Sequence, residues 1–354
     1  MKHKLGVIGY GTMGSWHADN VRDRIEGIDV VAVYDMDSSR LLKAKEDGFC
    51  VYNTVDEFFD TDIDVVLVAT PNNFHKHYSI MAMERGKHVI CEKPACLSVA
   101  ELEEVLSVSQ KTGKLYTVHQ NRRFDIDYAI AKNIVNEGKL GKLFMLESRL
   151  YSNRGFSKGG WKAKYETGGG LLYDWGIHLL DQILCLIPEE PVSVFADLHK
   201  VHMKEVDDVC CVTVTFESGL TARFVCDLWC HIKEARWHIQ GDKGTAIVYD
   251  WFGTEGKIIH ATDVGEEKSV GCVYTYNGLS TSMYSRPIQE LNELPLPIPQ
   301  KEPRWEEFYE NVMEAIEGKT EQIVTHEQIR KGMKVLMAAF ESAEKRCVVT
   351  LKNL

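Results

Sequence analysis

No stretch of the chain reaches the roughly 18 apolar residues that a membrane-spanning helix needs, so no part of it is expected to cross a bilayer. An excess of basic residues is missing too. A formal charge of -11 and a pI near 5.7 set aside general binding to nucleic acid or to an anionic membrane surface, each of which requires a basic face. Ten cysteines occur without one C-x-x-C pair, which argues against a zinc ribbon or a dithiol redox motif. Cys210 and Cys211 alternate faces of a strand, and Cys226 and Cys230 lack a matching His pair. The expected state is reduced, mostly buried thiols in a cytoplasmic protein that holds no metal. Lys2 and Lys4 precede an apolar stretch, but glycines break that stretch and the first strand needs it, so it does not read as a signal peptide. Internal repeats and low-complexity tracts are absent as well. What remains is globular material, 44% hydrophobic and 26% charged, and 354 residues suit two domains better than one core.

The chain opens with Leu5-Gly6-Val7-Ile8-Gly9-Tyr10-Gly11-Thr12-Met13-Gly14, an apolar run leading into three glycines at G-x-G-x-x-G spacing. A short strand, a tight turn and a helix start form the order that a dinucleotide-binding βαβ unit requires. Gly9 makes the turn, Gly11 lets the backbone approach a pyrophosphate, and Gly14 lets helix and strand pack closely. The helix N-terminus offers unpaired N–H groups to the phosphates. A second apolar run, Val30 to Tyr34, ends in Asp35, 21 residues after Gly14, where an acid meets the adenosine ribose diol.

Residues 5 to 118 keep a strand-helix rhythm, with strands expected at 5–9, 29–34, 65–69, 88–91 and 115–118 and helices at 13–25, 38–48, 75–86 and 98–112. Such alternation predicts a doubly wound parallel sheet with ligands at the carboxyl ends of its strands. Gly9, Asp35, Thr70-Pro71-Asn72 and Glu92-Lys93-Pro94 all fall at those ends. Past residue 121 the pattern changes: a helix at 126–137, a strand at 143–151, a Gly-rich loop at 152–167, a helix at 170–186, then strands at 192–200, 207–217, 220–229, 235–241 and 244–250. Strands in close succession imply a mainly antiparallel open sheet in a second, α+β domain. The segment 252–302 reads as irregular, ending in the tether Leu294-Pro295-Leu296-Pro297-Ile298-Pro299. Helices at 304–317 and 326–345 follow, where Met313, Met333 and Met337 are core fillers at helical spacing. The expected division is 1–122 for dinucleotide binding and 123–354 for substrate and oligomerisation. Whether helices 304–345 pack back on the first domain is left open.

Two constellations carry chemistry. Lys93 emerges at the carboxyl end of the strand Val89-Ile90-Cys91, beside the cofactor crevice, where an ammonium can bond the nicotinamide ribose and a substrate hydroxyl. An exposed turn lysine is the competing reading. Asp174 and His178 stand four apart in the run Gly168-Gly169-Gly170 to His178, which on an α-helix places both on one face. A carboxylate beside an imidazole fixes its orientation and favours its charged form, as suits a base that takes a hydroxyl proton. A satisfied histidine in a buried helix is the alternative there.

Gly9 to Gly14, Ala69-Thr70-Pro71-Asn72-Asn73-Phe74-His75, Gly86 to Pro94 and the glycine run to His178 together resemble the glucose-fructose oxidoreductase, inositol dehydrogenase and rhizopine catabolism (Gfo/Idh/MocA) family across residues 5 to about 185. The resemblance implies a Rossmann domain followed by an α/β domain whose open sheet often mediates oligomerisation, here as a homodimer or homotetramer. It also implies NAD(P)-dependent oxidoreduction of sugars, cyclitols or their derivatives. Lys93 matches the lysine of the family's E-K-P motif, and Asp174 and His178 match its aspartate and catalytic histidine. The expected cofactor contacts are Gly9, Gly11, Thr12, Met13, Gly14, Asp35, Arg40, Thr70, Asn72, His75, Glu92, Lys93 and Asn121. Asp35 favours NAD over NADP; Arg40 is either an aid to NADP or an exposed helix arginine, and His75 is either a cofactor contact or a helix cap. Substrate contacts are expected from Lys93, Arg122, Trp161, Asp174 and His178. Arg122 competes with a role as an interdomain salt bridge, and Trp161 with core packing. A loop bearing Tyr274, Tyr276 and Tyr284 closes the pocket or packs on the surface. The implied activity is an NAD-dependent dehydrogenase. Two rivals are NAD-assisted glycoside cleavage through transient C3 oxidation, and a non-catalytic cofactor-binding regulator.

Overall fold

The computed structural model describes residues 2–152, 159–274, 276, 278 and 280–351, with the side chains of 263–274 and 280–288 left aside. A five-stranded parallel sheet is built from β1 (His3–Ile8), β2 (Ile28–Tyr34), β3 (Val65–Val68), β4 (His88–Cys91) and β5 (Tyr116–Val118), in the order β2-β1-β3-β4-β5. β3, Val-Val-Leu-Val, is buried along its whole length, as a central strand covered on both faces must be. Around the sheet lie α1 (Thr12–Arg24), α2 (Ser38–Glu46), α3 (Val55–Phe59), α4 (His75–Glu84) and α5 (Val99–Thr112). The strand-helix alternation expected from the sequence is therefore present. The short helix α3 was not among the expected elements. It is started by a capping box in which Thr54 Oγ1 accepts from the Glu57 N–H and Glu57 accepts from the Thr54 N–H, and it buries Phe58 and Phe59.

The remainder forms a nine-stranded sheet in the order β13-β12-β11-β10-β6-β9-β8-β7-β14. Its strands are β6 (Leu143–Tyr151), β7 (Pro191–His199), β8 (Val209–Phe216), β9 (Thr221–Asp227), β10 (Trp237–Gly241), β11 (Gly244–Val248), β12 (Gly256–Tyr274), β13 (Ser280–Leu294) and β14 (Val349–Thr350). Among the described residues of this sheet only β6 and β9 pair in parallel, so the mainly antiparallel open sheet is confirmed. The helices of this half are α6 (Ile126–Glu137), α7 (Ile177–Leu186), α8 (Glu306–Ile316) and α9 (His326–Lys345); α7 packs on β6, β9, α6 and α9. Alternate residues of β8 and β9, such as Val212, Val214, Ala222 and Phe224, are buried beneath these helices, while their neighbours face outward.

Two expectations are corrected. The segment 252–302 is not irregular over most of its length: β12 and β13 form a long hairpin paired from Ile258–Leu294 to Tyr274–Ser280. Glycines and charged residues interrupt any clean apolar alternation there, so an edge hairpin left no period-2 signal. The helix expected over 170–186 is also divided. Leu172–Gly176 is one wide π-turn, and the α-helix begins only at Ile177. As for the C-terminal helices, they do pack on the first sheet. Tyr309 bonds His17, Thr117 Oγ1 donates to the Val324 carbonyl, and Arg330 pairs with Glu103. No helix among the described residues is long and apolar enough to cross a membrane.

Candidate active site

The carboxyl ends of β1 to β5 open onto a cavity of about 470 Å³, closed on its far side by the glycine run and the π-turn ahead of α7. That size suits a small-molecule site. At the end of β1 the chain reverses at Gly9, whose φ of +93° is open to glycine at little cost. A side chain at Gly14 would collide with the Gly9 carbonyl, so the turn and α1 close on each other only without one. At Gly11 an added Cβ would meet nothing nearer than the Arg40 guanidinium at 3.6 Å, which leaves the face of the turn open. The N-terminus of α1 has no side-chain cap and no acid in its first turn. Its N–H groups and dipole therefore remain available to an anion.

Asp35, at the end of β2, is buried and fixed at both oxygens: Oδ2 accepts from the Tyr10 N–H at 2.7 Å and Oδ1 from the Asp37 N–H at 2.9 Å. Arg40 stands 3.5 Å from Oδ2 and lines the same cavity. After β3, Thr70 lines the wall with its hydroxyl buried and unpartnered among the described residues. Asn72 and His75 also reach the wall, where the Asn72 amide nitrogen and both His75 ring nitrogens meet protein carbonyls. Asn72 Nδ2 donates to the Gly168 carbonyl at 2.8 Å, tying the third-strand loop to the glycine run. The His75 ring lies between the Pro94 and Thr70 carbonyls at 2.7 and 3.0 Å. Those two contacts brace the third-strand loop against the loop after β4, and the ring still lines the cavity. Glu92 is turned inward as well: Oε1 sits 2.7 Å from His17 Nε2 and 2.9 Å from His119 Nδ1, and Oε2 accepts from the Lys93 N–H. Burial works against its ionisation, but those hydrogen bonds prevail and hold its carboxyl well below the usual range. Of this pair, then, it is Lys93 that presents its side chain to the cavity.

Lys93 Nζ donates to the Asp174 carbonyl at 2.6 Å and to Asp174 Oδ1 at 2.8 Å. Lys162, from the loop before the glycines, reaches the same Oδ1 at 2.8 Å. Burial alone would raise the Asp174 pKa, but the two ammoniums outweigh it and the carboxyl is held far down. His178, the first side chain on α7 to line the cavity, has its basicity lowered well below the ordinary value by burial, then by Lys93 and Arg122. Its Nδ1 is buried with no partner among the described residues. The carboxylate expected to orient the imidazole makes no hydrogen bond to it among the described residues and is held instead in an Asp174–lysine clamp. The physical reason is the wide turn at Leu172–Gly176, which departs from α spacing, together with two cations competing for one carboxylate. That turn is itself fixed by Asp207, whose Oδ2 accepts from the Leu172 N–H at 2.7 Å and whose carbonyl accepts from the Leu171 N–H at 2.9 Å.

Arg122 faces the cavity as expected. Its guanidinium lies 4.9 Å from the Trp175 ring and 5.7 Å from that of Trp251. It also pairs with Asp125 at 3.3 Å, while its neighbour Arg123 grips Asp181 at 2.6 and 2.7 Å. Thr12, Met13, Asn121 and Trp161 line the cavity too. Lys162, Trp175 and Trp251 complete the neighbourhood and were not predicted. Lys162 adjoined a residue that was, but nothing in sequence spacing brings Trp251 to Trp175, whose rings lie 5.9 Å apart. The side chains of Tyr274 and Tyr284, and residues 153–158 of the Gly-rich loop, fall outside what is described; Tyr276 is exposed.

Residues 3–120 match the oxidoreductase family with an NAD-binding Rossmann fold, and residues 128–247 match the Gfo/Idh/MocA C-terminal domain. The chain belongs to the Gfo/Idh/MocA family. Among solved structures it is similar to an NAD-binding protein from Listeria innocua, 33% identical over all of this chain and 98% of that one, with a TM-score of 0.87. A scyllo-inositol 2-dehydrogenase (NADP(+)) of Bacillus subtilis is 25% identical across 99% of this chain and 96% of its own length. An uncharacterized oxidoreductase of Schizosaccharomyces pombe is 38% identical over 162 residues, a match spanning 45% of this chain and 44% of that protein. This Gfo/Idh/MocA chain is thus an oxidoreductase with an NAD-binding fold.

Proposed function

We propose that the protein is an NAD-dependent dehydrogenase that moves hydride between a hydroxyl-bearing carbon of a sugar, cyclitol or glycoside and nicotinamide. The observation that carries this reading is that Lys93, from the parallel sheet, and His178, from the helical layer on the other sheet, line one cavity together with the glycine turn. The residues fit the cofactor. The open Gly11 face and uncapped α1 suit a pyrophosphate, Asp35 a ribose diol, and Thr70, Asn121 and Lys93 the groups deeper in. Bound NAD supplies the hydride acceptor. His178, kept neutral by its surroundings, takes the hydroxyl proton as the carbon loses hydride and becomes a carbonyl carbon. Lys93 spends two N–H donors on Asp174, and an ammonium has three; the third is available to the reacting oxygen, where it favours alkoxide character. Asp174 and Lys162 set the direction of that donor.

NAD is read as preferred over NADP because the Asp35 charge is buried and pinned by two backbone amides. It cannot swing away from a 2′-phosphate, and Arg40 shares its charge with Asp35 and Asp37. We also read 1–122 as the cofactor unit and 123–354 as the substrate unit. The outward face of the nine-stranded sheet, where Met145 and Phe195 project, is read as the surface of a homodimer or homotetramer, which light scattering on the purified chain checks. The test of the activity is an NADH absorbance screen of sugars, inositols and glycosides with each cofactor. Steady NADH release with a free sugar supports dehydrogenation; cleavage of a glycoside without net NADH overturns it.

A further inference from the structure

We infer that the substrate carries a carboxylate, as a uronate, an aldonate or a glycoside of one, and that Arg122 is the residue that binds it. This rests on the dehydrogenase reading of the same cavity and deepens it.

At the reacting end, Lys93, Lys162 and Arg122 face the cavity, while Asp174 is the lining anion whose carboxylate is turned toward them. Glu92 lines the wall but gives its carboxylate to His17 and His119. Asp174 answers both lysines, which leaves Arg122 to find a partner elsewhere. What it has is Asp125, at 3.3 and 3.4 Å from Nη1, longer than a charge-assisted bond of about 2.7–2.9 Å. Asp125 itself is not well served by that contact: burial pushes its pKa up to about 6 against the pull of Arg122. Arg122 Nε is buried with no hydrogen-bond partner among the described residues. The side chain as a whole is 34% exposed, so the outer edge of the guanidinium, not Nε, is what a ligand in the cavity meets.

The guanidinium is also held in place rather than loose. Trp175 and Trp251 both lie within cation–π range of it, and the Arg122 carbonyl accepts from Gln182 Nε2 at 2.6 Å. Trp175 meets the His178 ring with centroids 5.8 Å apart, so the held cation lies one indole away from the proposed base. A planar fork fixed beside the reacting centre matches a carboxylate on a carbon near the oxidised hydroxyl. Neutral polyols such as inositols offer it hydroxyls alone, and leave the excess positive charge unanswered.

The test uses the purified full-length chain with NAD and four compounds: glucuronate, gluconate, myo-inositol and glucose 6-phosphate. Binding is read by quenching of tryptophan fluorescence, since Trp175 and Trp251 flank Arg122, and turnover by NADH absorbance. A carboxylate compound is expected to exceed the neutral one by about 100-fold in kcat/KM, as loss of one partner of a buried charged pair costs. Arg122→Gln is expected to cut the acid-over-polyol ratio of kcat/KM by about 100-fold, beyond any loss the two substrates share through the altered surroundings of His178, and Arg122→Lys to restore only part of that ratio. A neutral polyol equal to the acids overturns the inference, as does a preference for the phosphate. Equal losses on both substrate types in Arg122→Gln also overturn it, because a merely structural arginine would act on both alike. If either variant fails to fold, the wild-type preference among the four compounds decides. Acid binding that depends on Arg122 without any NADH would keep this inference and sink the dehydrogenase reading. NADH from neutral polyols alone would do the reverse.

Discussion

Replacing Asp174 with Asn tests the lysine clamp directly. At 2.8 Å each Asp174–lysine pair has a gross attraction of about 6 kcal/mol at an effective dielectric of 20. Burial of the charges offsets several kcal/mol of that. Lys162 is 42% exposed, so solvent screening reduces its share to about 1 kcal/mol or less. Lys93 and Asp174 are only 14% and 15% exposed, and removing one partner of so enclosed a pair costs about 3 kcal/mol. Asp174→Asn should therefore lower unfolding free energy by about 3 kcal/mol at neutral pH, measured by urea denaturation. The pH dependence supplies the refutation. Asp174 has a folded-state pKa held below its ordinary 3.8, so its contribution is fully present above that value and is lost only as pH falls through the depressed one. The gap between wild type and variant should then be flat from about pH 5 to pH 8. A gap that closes within that window would mean the carboxyl titrates there and the clamp is not as described. Activity gives a second readout: with Lys93 no longer aimed, kcat/KM should fall by roughly 10²-fold.

His178→Ala should lower kcat by about 10² to 10⁴-fold while NADH still binds, measured by fluorescence of the bound cofactor; near-wild-type turnover would refute the general-base assignment. In the unaltered enzyme, burial and two nearby cations lower the His178 pKa, so its neutral, proton-accepting form persists to below pH 6.5. The acid limb of kcat/KM for oxidation should accordingly lie below that value, and a limb above it would contradict the assigned environment. Asp35→Ser should shift preference toward NADP by about tenfold or more through loss of one fixed negative charge, read from paired kcat/KM values. Gly14→Ala should abolish cofactor binding or folding, because its Cβ has no room beside the Gly9 carbonyl.

The first sheet was legible because its signals are local. An apolar strand, a glycine turn and a helix start lie within a dozen residues, and β1 to β5 appear within a residue or two of where the pattern sets them. α3 was legible in principle, since Thr54 and Glu57 form a capping pair ahead of Phe58 and Phe59, but five residues give too short a period to count. The β12–β13 hairpin failed for the opposite reason: it is long, but Gly265, Glu266, Glu267 and Lys268 break the alternation by which strands are recognised.

At the site, residue choice was more legible than residue role. Lys93, Asp174 and His178 reach one cavity, yet the carboxylate expected to orient the imidazole makes no hydrogen bond to it among the described residues, because roles depend on which partners arrive from elsewhere. Asp174 is met by Lys93, 81 positions away in sequence, and by Lys162, 12 away. Neither approach is encoded in an i, i+4 spacing. The same holds for Glu92, adjacent to Lys93 and expected at the cofactor, but claimed by His17 and His119, with Tyr309 closing the chain at 2.7 Å from His17 Nδ1. That inward turn has a consequence for the site. With the Glu92 carboxylate satisfied inside the protein and the Asp174 carboxylate shared by two lysines, the reacting end keeps a surplus of positive charge. A dehydrogenase that binds an already cationic nicotinamide ring has reason to leave such a surplus only if its other ligand brings the compensating anion.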